Sequence, residues 1–151
     1  MAIYAAVLDA CVLVPISLAD LLLRVAEKQL FRPVWSQRIL DETRSAILSV
    51  HPDIDPALIE RRIWHMNEAF PGALVENLEG VERGLALPDP NDNHVLAAAL
   101  HGHCQEIVTA NLSDFPSTYL DGMEMGSGGD IHDRSDLFGA EGSAAALEVS
   151  H

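Results

Sequence analysis

The strongest constraint on this chain is a pair of short, apolar-rich runs, each closing on a polar residue, with helical patterns between them. Residues 3–8 read Ile-Tyr-Ala-Ala-Val-Leu and stop at Asp9, and residues 106–110 read as a second buried strand stopping near Asn111. A strand without a polar face must be covered on both sides, which is the condition of a mainly parallel sheet inside an α/β domain. The chain between the runs supplies the cover. Ser17 with Asp20 three residues later predicts a capped helix over about 18–29, with Asp20 and Arg24 at i,i+4. Ser36 predicts the cap of a helix over about 37–50. Asp55-Pro56 predicts a third start, with Ile59, Ile63, Met66 and Phe70 along one face and Pro71-Gly72 as the stop. Residues 73–76 read as a brief strand, and Asp89-Pro90 opens a helix reaching His101-Gly102. Strands alternating with helices at this spacing predict an α/β fold.

The 151 residues suffice for one domain with a sizeable core. From about residue 121 the pattern changes: 126–129 is glycine-rich and 139–147 is rich in Ala, Gly and Ser. The expected organisation is therefore a domain over 1–122 and an acidic, partly flexible tail over 123–151. No run approaches the roughly 18 apolar residues of a spanning helix, and no basic leader precedes the first run, so a cytoplasmic, membrane-free setting is expected. Cys11 and Cys104 lack metal-ligand spacing and read as small core residues. Trp35 and Trp64 read as packing.

Charge narrows the partners. Nine Lys and Arg stand against 23 Asp and Glu, for a net charge of −14, which argues against a simple basic patch gripping nucleic acid or an anionic membrane. Eight of the nine basic residues fall in 1–83, and 84–151 has only Arg134 against 11 acids. Any polyanion must be held by the first half, and the acids of the second half need solvent or a cation.

Position sorts the acids. In parallel α/β sheets, ligands bind beyond the carboxyl ends of the strands. Asp9 ends the first strand, Asp114 lies four residues past the strand ending at Ala110, and Asp92 lies in the first turn of the helix before it. On the helix after Ser36, Glu42 falls at about −60° from Ile39, flanking the stripe of Leu40, Ala46, Ile47 and Val50, whereas Asp41 falls at about 200° and points away. Four carboxylates together would raise one another's pKa unless a cation intervened. Hard oxygen donors suit Mg²⁺ or Mn²⁺, which can activate water and stabilise charge during in-line attack on a phosphodiester. Each acid also has a structural alternative: Asp89 as an N-cap, Asp92 as a dipole partner, Asp114 as a turn residue. Asp9, between two apolar stretches, is the hardest to explain that way. His94, His101 and His103 lack zinc spacing.

Four segments together resemble the PIN-domain family, and most of all its VapC-type toxin ribonucleases. They are Val-Leu-Asp9-Ala-Cys-Val-Leu, Trp35-Ser36-x-x-Ile-Leu-Asp-Glu42, Leu87-Pro-Asp89-Pro-Asn-Asp92-Asn-His-Val-Leu, and Ile107-Val-Thr-Ala-Asn111-Leu-Ser-Asp114-Phe-Pro. They occur in the family's order across about residues 3–120. The resemblance implies a three-layer α/β/α fold and a Mg²⁺- or Mn²⁺-dependent endoribonuclease, the toxin of a type II toxin–antitoxin pair. It assigns Asp9, Glu42, Asp92 and Asp114 as the acidic quartet, with Asp9, Asp92 and Asp114 on the metal. Asp89, Thr109 and Asn111 match further polar positions of that edge. It also implies an RNA substrate, a silencing antitoxin and a homodimer. Arg38 and Arg44 are candidate phosphate contacts. After Asp-Phe-Pro the chain departs from the family's final strand and helix. That departure motivates the alternative, a catalytically inactive PIN-like module binding RNA or protein.

Overall fold

A computed structural model of the chain describes residues 4–85 and 93–109 with their side chains and the backbone of 145–148. In chain order the elements are β1 (Ala5–Leu8), α1 (Ala10–Leu13), α2 (Ile16–Glu27), β2 (Arg32–Ser36), α3 (Gln37–Val50), α4 (Pro56–Ala69), β3 (Leu74–Val75), α5 (Glu79–Glu82), α6 (Asn93–His101), β4 (Glu106–Thr109) and β5 (Ala145–Glu148). The sheet order is β3-β2-β1-β4-β5; the first four strands are parallel and β5 runs antiparallel to β4. This is the three-layer α/β arrangement expected from the apolar runs. Every residue of β1 and β4 is buried, as strands covered on both faces require.

The core gathers Val7, Leu8, Leu13, Leu22, Val34, Trp35, Ile39, Leu40, Leu96 and Ile107 around the central strands. Trp35 is fully buried, donates from Nε1 to Asn67 Oδ1 at 2.9 Å, and meets Phe70 edge-on at 6.2 Å between ring centroids. Its polar atom is therefore satisfied inside the apolar packing. Ile59, Ile63 and Met66 form the buried face of α4, whose Asp55 cap accepts from Ala57 N at 3.0 Å.

Several expectations need correction. Strand β2 has no counterpart in the sequence reading because Pro33 sits inside it, and proline argues against an interior strand. The backbone resolves this. Arg32 N donates toward β1 (to Tyr4 O) and Trp35 N toward β3 (to Ala73 O). By strand alternation the missing Pro33 donor also faces β3, whose pairing begins only at Trp35. The Ser17–Asp20 capping box does not form. Helix α2 starts at Ile16 with Pro15 as N-cap, and Pro15 O takes the Ala19 N–H at 2.9 Å. Asp20 instead acts on the half-buried Arg62 guanidinium, which also donates to Leu13 O at the end of α1. Trp64 is 57% exposed on α4, so it is not core. Within the segment read as tail, 145–148 forms β5, pairing along the outer edge of β4 and supplying hydrogen-bond partners to a strand edge.

Candidate active site

Asp9 lies where the sequence places it, directly after β1 at the carboxyl end of the sheet's middle strand. Its backbone is extended (φ −71°, ψ 155°), and its N–H continues the ladder to Val108 O at 3.0 Å. The side chain then caps α1: Oδ1 accepts from Ala10 N at 2.7 Å. Oδ2 accepts from the hydroxyl of Thr109 at 2.9 Å, and the Cys11 thiol lies 3.6 Å from the same oxygen. Cys11 Sγ is also 3.4 Å from Thr109 Oγ1. Asp9 is 7% exposed and Thr109 is fully buried. The register Leu8↔Val108 is what sets Asp9 beside Thr109 across the two strands. A buried charge survives when it is hydrogen-bonded, and these donors meet that need. Cys11, expected as plain core, is half-buried and part of this polar group.

Glu42 projects from α3 toward α6, and Asp41, as expected from the helical wheel, is an exposed partner of Arg44 at 2.7 Å. Oε1 of Glu42 lies 3.0 Å from Nε2 of His94 and 3.7 Å from Arg38 Nε. His94 is 2% exposed, and neither ring nitrogen completes a hydrogen bond of good geometry. Burial, reinforced by the Arg38 charge, pushes its pKa down to about 4. The contact with Glu42 is therefore between a carboxylate and a neutral imidazole. Arg38 reaches on to Glu82 at 3.0 Å, while Arg44 is held by Glu60 and Asp41, with its pKa raised mainly by the Glu60 hydrogen bond. Of the two candidate phosphate contacts, Arg38 stands beside Glu42, and Arg44 is engaged by two acids on the outer face of α3 and α4.

The remaining candidates, Asp89, Asp92, Asn111 and Asp114, lie outside the described residues. Among the described residues no group of three His, Cys, Asp or Glu side chains could by itself hold a metal ion. Asp9 and Glu42, the two described members of the expected quartet, carry the hard oxygen donors that suit a divalent ion. Asp9 offers two carboxylate oxygens, the hard donor type that such an ion takes, held in place by Ala10 N and the Thr109 hydroxyl. The sequence reading missed His94 as a partner of Glu42. Its signal is a histidine opening the apolar run Val95–Ala99, which alone reads as core.

No helix among the described residues is long and apolar enough to cross a membrane. No curated protein and no solved structure matches the chain. A family model described as the PIN domain matches residues 5–113, taking in both Asp9 and Glu42 with the strands and helices that carry them. PIN domains are generally nucleases and typically use divalent metals, and with most of its length matched this chain belongs to the PIN domain family.

Proposed function

We propose that this chain is a Mg²⁺- or Mn²⁺-dependent endoribonuclease, the toxin of a type II toxin–antitoxin pair acting in the cytoplasm. The observation that carries the reading is the Asp9 carboxylate, buried at the carboxyl end of the middle strand and oriented by Ala10 N, Thr109 and Cys11. Asp9, Asp92 and Asp114 would hold the ion. Bound there, it would supply charge neutralisation at the phosphate and a lowered pKa for the attacking water. The rest falls to side chains. The Thr109 hydroxyl and the Ala10 amide fix the Asp9 carboxylate in one orientation, so no reorganisation is needed when substrate arrives. Glu42, flanked by neutral His94 and by Arg38, would orient the attacking water. Arg38, between Glu42 and Glu82, is the phosphate contact nearest this edge. Asp89 and Asn111 are secondary members of the site. An antitoxin and a homodimer partner complete the proposal.

The test is cleavage of an RNA panel by wild type and Asp9→Asn in Mn²⁺. The amide oxygen of Asn can still cap Ala10 N, so the variant folds, as circular dichroism and thermal melting would show. The reading predicts that its cleavage falls to background. Undiminished cleavage defeats the assignment. Tight Mn²⁺ binding by wild type with no hydrolysis of any RNA favours the inactive binding module instead.

A further inference from the structure

A cavity of about 300 Å³ opens between the start of α3, the β3–α5 connection and α6, and His94 in its lining is the residue that also contacts Glu42. Its volume is at the small end of ligand sites, which run from about 300 to 1,000 Å³. Val75 and Leu78 give it half-buried apolar wall, and Glu76, Glu79, Glu82 and His94 give it polar groups. Three glutamates face one arginine, and Arg38 is already 3.0 Å from Glu82 Oε1. A phosphate would be repelled here. Carboxylates only accept hydrogen bonds, so the lining calls for a guest rich in donors. The second observation is His94: nearly fully buried and lining this cavity, with Nδ1 lacking any hydrogen-bond partner and Nε2 lying 3.0 Å from Glu42 without completing a hydrogen bond. A buried polar group in that condition is completed by a ligand or a water.

We infer that this cavity holds a guanine base of the RNA, next to the bond that is cut. The inference rests on the nuclease reading and deepens it. Among the four bases only guanine presents two adjacent donors on its Watson–Crick edge, N1–H and the N2 amino group, which match one carboxylate in a paired fork. Adenine and cytosine set one amino group beside an acceptor, and uracil sets one N–H between two carbonyls. Single-stranded RNA is read in this way, by bases splayed out of the stack into pockets. Glu82 is the fork acceptor, with its side chain 29% exposed and steadied by Arg38. His94 supplies the remaining hydrogen bond, and Val75 and Leu78 contact the ring.

The experiment titrates the full chain in EDTA with the four nucleoside monophosphates, which share one phosphate, and follows the backbone amide signals of Asn77, Leu78 and Glu79 by NMR. The expected result is at least tenfold tighter binding of GMP, about 1.4 kcal/mol. In Glu82→Gln, which can still reach Arg38 but no longer offers two acceptors, that preference is lost. Equal affinities, no binding, or shifts elsewhere in the chain overturn the inference. So does arginine amide moving these signals where GMP does not, which would mark a pocket for a cationic side chain of a protein partner. Cleavage-site mapping on mixed-sequence RNA in Mn²⁺ separates the two levels. Cutting without a guanosine bias removes the pocket and leaves the nuclease. Guanine-selective binding with no cutting removes the nuclease reading and leaves the guanine site.

Discussion

Lowering the pH from 7 to 4.5 should destabilise this protein through His94 alone by about 2 kcal/mol, beyond whatever its carboxylates contribute. The imidazole is buried against α3 and faces the Arg38 charge, so its folded pKa is about 4 against 6.5 for a free histidine. The unfolded chain therefore takes up the proton first as pH falls. Stability from this residue is fully present above about pH 6.5, drains away between 6.5 and 4, and is level below that. At about 1.4 kcal/mol per pH unit the whole gap is worth about 3 kcal/mol, of which about 2 has been lost by pH 4.5. That is a large share of the roughly 5–15 kcal/mol a domain has in total. The assay is urea unfolding at both pH values for wild type and His94→Leu. The variant removes the titrating ring and leaves the carboxylates common to both proteins. Because neither ring nitrogen makes a hydrogen bond, it should cost little at pH 7. Wild type should lose about 2 kcal/mol more than the variant on acidification. Equal losses would refute the reasoning and mean that the proton is accepted in the folded state, with Glu42 at 3.0 Å as its counter-charge.

Two further predictions concern stability. Asp9→Ala removes the α1 cap and strands the Ala10 amide and the buried Thr109 hydroxyl, so it should cost about 1–3 kcal/mol in chemical denaturation, whereas Asp9→Asn should cost clearly less. Gly102→Ala would place a Cβ 2.9 Å from the carbonyl oxygen of Ala98 and 3.2 Å from Val34 Cγ1, so thermal melting should show a loss of about 1–3 kcal/mol.

Much of the fold was legible because the sequence speaks most clearly where both faces of an element are buried or where a cap is chemically distinctive. The run ending at Leu8, the Asp55-Pro56 start and the Ser36 cap each carry their signal within a few residues, and α3 spans the residues its pattern predicts. Strand β2 was not legible, since the permissive side of Pro33 depends on how far a two-residue neighbour extends. Helix α1 is a single turn whose cap is an acid that also reads as a ligand. The site divides in the same way. Asp9 stands out as an acid after a buried strand, and helical geometry separates Glu42 from Asp41. The Thr109 hydroxyl reaches Asp9 through strand register, and His94 reaches Glu42 through the packing of two helices remote in sequence. Neither contact has a local signature.

The central claim is that the Asp9 carboxylate, set by Thr109 and the α1 amide, holds a divalent ion. The most direct measurement is the anomalous scattering of a crystal soaked in Mn²⁺. The account predicts a peak about 2.0–2.2 Å from an Asp9 oxygen, lost in crystals of Asp9→Asn. A peak bound elsewhere while Asp9 stays bare, or none at saturating Mn²⁺, would contradict it.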